Sequence, residues 1–443
     1  MASRTPVLKE RSKFHSQTGR VVRVSLGNFL EMYDFMVFGY YAAAIGRAFF
    51  PDQSEYASLM KSLMTFGTGY LMRPLGALVL GAYIDQHGRR KGLLLTLSLM
   101  AIGTFSIGCL PGYEKLGLAA PLLVVAARLV QGLSAGVEIG GVSVYLAEIA
   151  TPARRGFYVA WQSASQQIAV MFAALLGVVL STALRPEQML SWGWRIPLLL
   201  GSMLVPFVFI LRRSLPETEE FLARKERPST SEIWRTLAQN WRLVVLGMML
   251  STTTTVTFYL ITAYMPTYAS SVLHLSTRQS MVVTLCVGAS NFVWLPLMGF
   301  VSDLVGRRPL LTVCSLLALF SAYPILLWLV GDPTFGRLLS VALWFSMIFG
   351  SYNGAMVVYL TEIMPAQVRA SGFSLAYSLA TGIFGGFTPA ISAYLIHTTG
   401  NRAMPGVWLA FAGAMGLTAT ALLNRVPEQR RRPVNAVNEL PTG

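Results

Sequence analysis

The chain consists of long apolar segments separated by short polar ones. A helix of about 20 apolar residues crosses the hydrocarbon core of a bilayer, and apolar segments of about that length or longer recur from one end of the sequence to the other. The pattern predicts twelve membrane-spanning helices. Their expected ranges are 21–49, 56–84, 90–110, 119–150, 156–184, 194–212, 241–270, 278–302, 308–330, 336–363, 370–397 and 404–424.

The apolar segments fall into two halves that repeat one another. The longest polar interruption, 213–240, separates the first six segments from the last six. The stretch 81–90 (Gly-Ala-Tyr-Ile-Asp-Gln-His-Gly-Arg-Arg) returns 218 positions later as 299–308 (Gly-Phe-Val-Ser-Asp-Leu-Val-Gly-Arg-Arg). A second echo relates 145–149 to 359–363. Transporters are built from such repeats and bind their substrate near the membrane midplane between them.

This organisation predicts an all-α integral membrane protein with two pseudo-symmetric bundles of six helices. The expected parts are a cytoplasmic tail 1–20, an N-terminal bundle 21–212, a cytoplasmic linker 213–240, a C-terminal bundle 241–424 and a cytoplasmic tail 425–443.

Composition and charge agree with a membrane protein. Hydrophobic residues make up 54% of the chain and charged residues 12%, whereas soluble domains carry about 25% charged residues. The net charge of +15 would permit nucleic-acid binding, but the basic residues cluster in the polar segments of one side. That asymmetry is the positive-inside rule. It predicts a multi-pass membrane protein with both termini in the cytoplasm, and no nucleic-acid partner.

Charged residues inside membrane spans are costly and mark functional sites. The first span carries Glu31 and Asp34, which share one helix face with Asn28. Glu31 and Asp34 are candidate proton carriers, although one of them can instead serve to pair two helices. Arg128 in the fourth span has a planar, permanently charged guanidinium group that suits a carboxylate. It can pair with Asp34 in the empty protein and with a substrate carboxylate in the loaded one, or form a static pair.

Other polar residues in the spans complete the predicted site. Glu138 lies about 15 Å along the helix from Arg128 and fits either a proton relay or an interhelical hydrogen bond. The neutral residues either bind substrate or hold helices together. The predicted substrate-binding residues are Asn28, Arg128, Gln131, Gln162, Gln166, Tyr352, Asn353 and Tyr377.

The repeated loops are predicted to form a cytoplasmic gate. Carboxylates suit helix N-termini and cations suit C-termini, so these charges can latch the two halves together and release them. The gate residues are Asp85, Gly88, Arg89, Arg90, Glu148, Arg155, Asp303, Arg307, Glu362 and Arg369.

We expect no cofactor, because neither the three Cys nor the four His residues have the spacing of a metal site. One buried arginine cannot balance a di- or trianion in a medium of low dielectric constant. Co-transported protons are the simplest remedy, and a sodium ion is the other. We therefore expect a symporter that works as a monomer with a small carboxylate as its partner.

The motifs resemble those of the major facilitator superfamily. The Gly-x-x-x-Asp-x-x-Gly-Arg-Arg stretch 81–90 resembles its signature loop, and 128–136 resembles its fourth-helix motif. Residues 27–35 and 72–77 resemble the metabolite–proton symporter branch. The likeness is closest to bacterial citrate and tricarballylate symporters. Further stretches that carry this likeness are 140–146, 161–167 and 352–356.

The resemblance implies proton-coupled import of citrate, tricarballylate or a related di- or tricarboxylate by alternating access, across the bacterial cytoplasmic (inner) membrane. It also supports a first-helix acid acting with Arg128. Other substrates of the branch, α-ketoglutarate, shikimate, proline or betaine, remain alternatives, although the short tail 425–443 argues against an osmolyte transporter. An export pump for cations would not favour a midplane arginine. An enzyme or receptor would need a catalytic constellation or a folded extramembrane domain.

Overall fold

The protein is seen in a computed structural model that describes residues 29–87, 89–136, 142–144, 146–147, 150–213, 230–365 and 369–424. Twelve long helical segments, α1 to α12, follow one another in the described chain. Their bounds are α1, 29–40 and Ala42–Phe49; α2, Glu55–Leu71 and Arg73–His87; α3, Arg89–Cys109; α4, Ala119–Ala135; α5, Arg155–Ala183; α6, Arg195–Arg213; α7, Trp241–Tyr259, continued to Val272; α8, Thr277–Val305; α9, Arg307–Gly331; α10, Phe335–Ile363; α11, Arg369–Ala380, continued to Thr399; and α12, Pro405–Asn424.

The helices have the length and composition that a membrane requires. Eight described helices are long and apolar enough to cross a bilayer. Three shorter apolar helices, Leu94–Cys109, Ala119–Ala135 and Arg195–Pro206, continue the series. A further helix, Thr230–Gln239, lies in the predicted linker. The predicted all-α membrane architecture is confirmed.

Several helices are irregular where proline or glycine occurs. The helical path of α2 is interrupted at Met72, just before Arg73 and Pro74, since proline has no N–H to donate to the preceding turn. The end of α7 contains two π-helical turns on either side of Pro266. A π-helical turn also divides α11 at Thr381–Gly385. Such turns are frequent at functional sites, and those in α7 and α11 lie in the C-terminal half.

Glycines let α2 and α4 touch backbone to backbone. A Cβ atom on Gly132 would lie 1.6 Å from the carbonyl oxygen of Gly69, and one on Gly136 would lie 2.1 Å from the carbonyl oxygen of Arg73. Close approach through small residues is typical of helix packing in membranes. Because α2 and α4 are so close, Arg73 and Arg128 both lie against α1.

The two halves of the chain contact each other toward both ends of the helices. At the end assigned to the cytoplasm, a Cβ atom on Gly156 of α5 would lie 2.3 Å from the carbonyl oxygen of Gly299 in α8. At the other end, the rings of Tyr56 in α2 and His397 in α11 stack with centroids 3.7 Å apart. The described halves are therefore closed on both sides of the space between them.

The α2–α4 contact makes a testable prediction. Gly132→Ala should lower the melting temperature of the purified protein by about 5 °C or more, because the added methyl group forces two backbones apart. The measurement is a thermal melt in detergent followed by size-exclusion fluorescence. Gly336→Ala, at a helix position with open space around it, is the matched control and should melt like the parent protein. Equal melting of the two variants would contradict the packing.

Candidate functional site

Two buried ion pairs lie side by side along α1. Glu31 accepts a hydrogen bond of 2.7 Å from Arg73 of α2. One helical turn later, an oxygen of Asp34 lies 3.6 Å from the guanidinium of Arg128 in α4. All four residues are at most 4% exposed. Glu31 and Asp34, three residues apart in the sequence, therefore each pair with a different arginine.

Aromatic rings surround the first pair. The guanidinium carbon of Arg73 lies 5.0 Å from the ring centre of Phe35 and 4.6 Å from that of Tyr70. Arginine stacks well on aromatic faces. The Nε of Arg73 is buried and makes no hydrogen bond. The pair is thus well shielded and retains one unfilled donor.

The second pair is more enclosed and less completely bonded. Arg128 donates to Gln131 at 2.7 Å, and Gln131 in turn donates to Thr104 of α3 at 3.1 Å. The ring centre of Phe38 lies 3.9 Å from the guanidinium carbon. Neither oxygen of Asp34 accepts a hydrogen bond, and Nε and Nη2 of Arg128 donate none. Buried charges are costly when their hydrogen-bonding capacity is unfilled, so this pair is loosely held.

A small cavity lies between the halves next to the first pair. It is large enough for the centre of a water molecule to occupy about 10 Å³, which is room for roughly one water. The N-terminal half contributes four lining residues and the C-terminal half five. The lining residues are Met32, Arg73, Ser163, Gln166, Phe258, Tyr259, Phe349, Asn353 and Tyr377.

Three predicted substrate-binding residues, Gln166, Asn353 and Tyr377, line this cavity. The other predicted residues that the structure describes are not among its lining residues. Gln131 is bonded to Arg128, and Gln162 accepts a hydrogen bond from Ser163 at 2.8 Å. Arg128 is not among the lining residues. Asn28 and Glu138 lie outside the described residues.

Tyr352, which is predicted to bind substrate, is not among the residues that line the cavity. Its hydroxyl donates to the carbonyl oxygen of Leu250 in α7 at 3.0 Å, and the side chain is 1% exposed. Adjacent residues of a helix point about 100° apart, so Tyr352 and Asn353 point in different directions. Asn353 lines the cavity, whereas Tyr352 ties α10 to α7.

Arg73 is a buried charged residue that the predicted site does not include. Arg128 is predicted to pair with Asp34, whereas Glu31 forms its ion pair with Arg73. A signal was present: the second span contains an arginine, and an intramembrane cation needs a partner. The sequence did not show which carboxylate that partner is.

A chain of hydrogen bonds also joins the halves beside the cavity. Ser346 of α10 donates to Asn291 of α8 at 2.7 Å, and Asn291 donates to Gln167 of α5 at 3.0 Å. Gln167 donates to the carbonyl oxygen of Ser163 at 3.3 Å. These neutral contacts link α5 to the C-terminal half.

The described part of the predicted gate centres on Asp303 at the end of α8. Its two carboxylate oxygens accept hydrogen bonds from the backbone N–H groups of Gly156 and Phe157 at 2.9 and 3.0 Å. These N–H groups belong to the first turn of α5, where a carboxylate is stabilised by the helix dipole. Arg307 contacts Asp303 at 2.7 Å and Glu362 at 3.2 Å. Asp303 thus connects the two halves.

Only some of the other predicted gate residues are described. Arg155 and Arg369 begin α5 and α11. The side chains of Asp85, Arg89 and Arg90, together with Gly88 and Glu148, lie outside the described residues. Their part in a gate stays a prediction.

Two ion pairs close the loop between α1 and α2 at the end opposite Asp303. Arg47 contacts Glu55, and Lys61 donates a hydrogen bond of 2.6 Å to Asp52. The hydrogen bond from Lys61 lowers the pKa of Asp52 below its ordinary value. These pairs are exposed and stabilise little, so they provide control positions.

The Asp303 contact predicts how the halves separate. In a cysteine-free background with Ala160→Cys, Asp303→Asn should raise the rate of thiol labelling several-fold, because the neutral amide loses its attraction to the α5 N-terminus and to Arg307. Ala160 packs against Gly299 at the same interface. Asp332→Asn, which alters the ion pair of Asp332 with Arg337, is the control. Unchanged labelling in Asp303→Asn would contradict a latch.

Comparisons with known proteins agree with this architecture. The family model described as Major Facilitator Superfamily matches residues 24–387 and again 277–441. A citrate-proton symporter of Salmonella typhi is 56% identical over 423 residues, which is 96% of each chain. A citrate-proton symporter of Klebsiella pneumoniae is 55% identical, again over 96% of each chain.

The fold itself is seen in solved structures. A crystal structure of a D-xylose-proton symporter superposes with a TM-score of 0.75 and 19% identity, covering 94% of this chain and 99% of that one. The predicted two-bundle fold is confirmed by this likeness. The family model covers most of the chain, and the protein therefore belongs to the major facilitator superfamily of membrane transporters.

Proposed function

We propose that this protein is a proton-coupled symporter that imports a small di- or tricarboxylate, such as citrate or tricarballylate, by alternating access. The observation that carries the proposal is the central cavity bordered by one of two buried arginine–carboxylate pairs. The relatives named citrate-proton symporters, at 55 and 56% identity, support the same substrate class.

The charges favour an anion accompanied by protons. In the structure, Arg73 and Arg128 are balanced by Glu31 and Asp34. An anion entering this balanced site would add uncompensated charge to a medium of low dielectric constant. Protonation of either carboxylate leaves an arginine unbalanced, and a substrate carboxylate then restores neutrality. Binding of the anion and of protons is thereby coupled.

The closed cavity supports alternating access. Its volume is far below that of a six-carbon tricarboxylate, and the halves contact each other toward both ends. Loading and release therefore require the halves to separate at one end at a time. Rigid halves rocking about a midplane site are the mode of transport known for such repeats.

We assign proton coupling to Asp34 and Glu31, with Glu138 as a further candidate. Protonation of Asp34 would free Arg128, whose Nε and Nη2 already lack hydrogen-bond partners. Gln166, Asn353 and Tyr377 would orient the substrate through neutral hydrogen bonds. The latch built on Asp303 would hold the cytoplasmic side shut until the substrate is loaded.

An anionic substrate is favoured over a zwitterion such as proline or betaine. A zwitterion brings its own cation, which would have to lie beside Arg73 or find a carboxylate that is already paired. Smaller anions of the same class, α-ketoglutarate and shikimate, fit the same charge balance and are distinguished by experiment.

The protein is a multi-pass integral membrane protein. We further propose that both termini are cytoplasmic, following the basic loops, and that a single chain is the working unit.

Uptake by proteoliposomes tests the proposal. Labelled citrate should accumulate when an inward proton gradient is imposed and should stop accumulating when a protonophore is added. Unlabelled tricarballylate, α-ketoglutarate, shikimate and betaine serve as competitors, and betaine should not compete. A sodium gradient without a proton gradient should drive no uptake.

Variants of the second ion pair test whether it couples proton movement to uptake. Asp34→Asn and Arg128→Ala should lower proton-driven uptake at least about 100-fold, because each disrupts the exchange of partners at a buried charge. Glu55→Gln, in an exposed ion pair, should retain full uptake. Full proton-driven uptake by both Asp34→Asn and Arg128→Ala would refute the assigned coupling pair. Failure of the parent protein to bind or transport any carboxylate would refute the proposed function.

A further inference from the structure

We propose that Arg73 is the anchor for a substrate carboxylate and that Glu31 competes with the substrate for it under the control of a proton. This inference rests on the proposed function and names the residues that hold the substrate. It assigns Arg73 a direct contact with the cargo and makes the Glu31–Arg73 pair a coupling site distinct from Asp34 and Arg128.

The position of Arg73 distinguishes it from Arg128. Arg73 borders the cavity, across from the C-terminal residues Tyr259, Asn353 and Tyr377. Arg128 is absent from the lining and is surrounded by phenyl rings, with the centres of Phe38 and Phe35 3.9 and 4.8 Å from its guanidinium carbon. A carboxylate in the cavity therefore meets Arg73 first.

The hydrogen-bonding capacity around the cavity is incomplete. The Nε of Arg73 and the Oδ1 of Asn353 are buried and have no hydrogen-bond partner, and both residues line the cavity. Native proteins satisfy nearly all buried polar atoms. An arginine presents Nε and Nη as a fork that matches a carboxylate, so the free Nε leaves room for a second acceptor beside Glu31.

Arg73 exchanges Glu31 for a substrate carboxylate when Glu31 takes up one proton. Glu31 in its ionised form binds Arg73; one proton converts Glu31 to the neutral acid, and the ion pair to Arg73 breaks. A substrate carboxylate then forms the ion pair with Arg73. On release, the substrate leaves Arg73, Glu31 loses the proton, and the original pair forms again. One proton moves with each substrate through this pair.

Other titratable groups surround Glu31. Tyr259 of α7 and Tyr377 of α11 interact with it electrostatically, and Asp34 lies one turn further along α1. Arg128 lies beyond Asp34. Arg73 is the cation in direct contact with Glu31 among the described residues, so a proton on Glu31 acts first on that ion pair.

The position of Arg73 opposite the C-terminal residues of the cavity explains how a bound substrate would join the two halves. Arg73 belongs to the N-terminal half, whereas Asn353 and Tyr377 belong to α10 and α11. A substrate carboxylate on Arg73 has other polar groups that reach these C-terminal side chains. Loaded substrate thus bridges the halves across the cavity.

Binding measurements on the purified full-length protein test the inference. Citrate dissociation constants are measured by calorimetry over a series of pH values. For the parent protein, binding should tighten as the pH falls, because protonated Glu31 releases Arg73. In Glu31→Gln, citrate should still bind, and the slope of log Kd against pH should fall by about one, since one proton fewer is taken up on binding. Exchange of internal for external citrate should persist in this variant, and proton-driven accumulation should be lost.

Arginine variants test the anchor. Arg73→Ala should weaken citrate binding about 100-fold at every pH, and Arg73→Lys should weaken it less, because lysine keeps the charge but loses the fork. Arg73→Ala leaves Glu31 buried without its cation, which destabilises the fold. The double variant Glu31→Gln with Arg73→Gln removes both charges at similar size and should fold normally without binding citrate. Arg337→Ala, in an exposed pair at the end of α10, is the control and should bind like the parent.

The outcomes separate this inference from the proposed function. If the folded double variant binds citrate as the parent does, or if Glu31→Gln keeps the full pH slope, the inference is wrong while carboxylate symport stands. If the parent protein binds no carboxylate at all, the proposed function fails as well.

Discussion

The burial of four charges beside α1 is the constraint on which the rest of the structure depends. Glu31, Asp34, Arg73 and Arg128 are almost completely shielded from solvent, and a lone charge in that environment would be prohibitively costly. Each must therefore keep a partner in every state of the protein. The glycine contacts between α2 and α4 hold the two arginines close enough to α1 to provide those partners.

Because each buried charge needs a partner, the two ion pairs offer a means of coupling the proton to the substrate. A pair that is held by several good hydrogen bonds would be static, but Asp34 accepts none, and Arg73 and Arg128 keep unfilled donors. A proton on the acid together with a substrate carboxylate on the arginine can then replace a pair without leaving a charge alone. The halves divide this work unequally: the N-terminal half contributes the arginine at the cavity, and the C-terminal half contributes neutral hydrogen-bonding groups and aromatic rings.

Movement of the halves depends on contacts of a different kind. Neutral hydrogen bonds through Gln167 and Asn291, glycine contacts between α5 and α8, and the stacked rings of Tyr56 and His397 hold the halves together. None of these contacts has to be kept in every state, because water can solvate the groups that become exposed when the halves separate. Among the described residues, Asp303 is the charged group in these contacts, and it faces backbone N–H groups of α5 that water can also satisfy.

The sequence by itself determined the helices and their number, the family, and the carboxylates Glu31 and Asp34. The signals are hydropathy, the repeated loop and the charged residues of the spans, and each signal is local in the chain. The partner of Glu31 was decided only by the tertiary structure. Arg73 lies 42 positions from Glu31, and the packing of α2 on α4 selects that pairing. The faces of α10 were decided in the same way: Asn353 lines the cavity and Tyr352 bonds Leu250, since only the neighbouring helices determine which side of α10 faces the space between the halves.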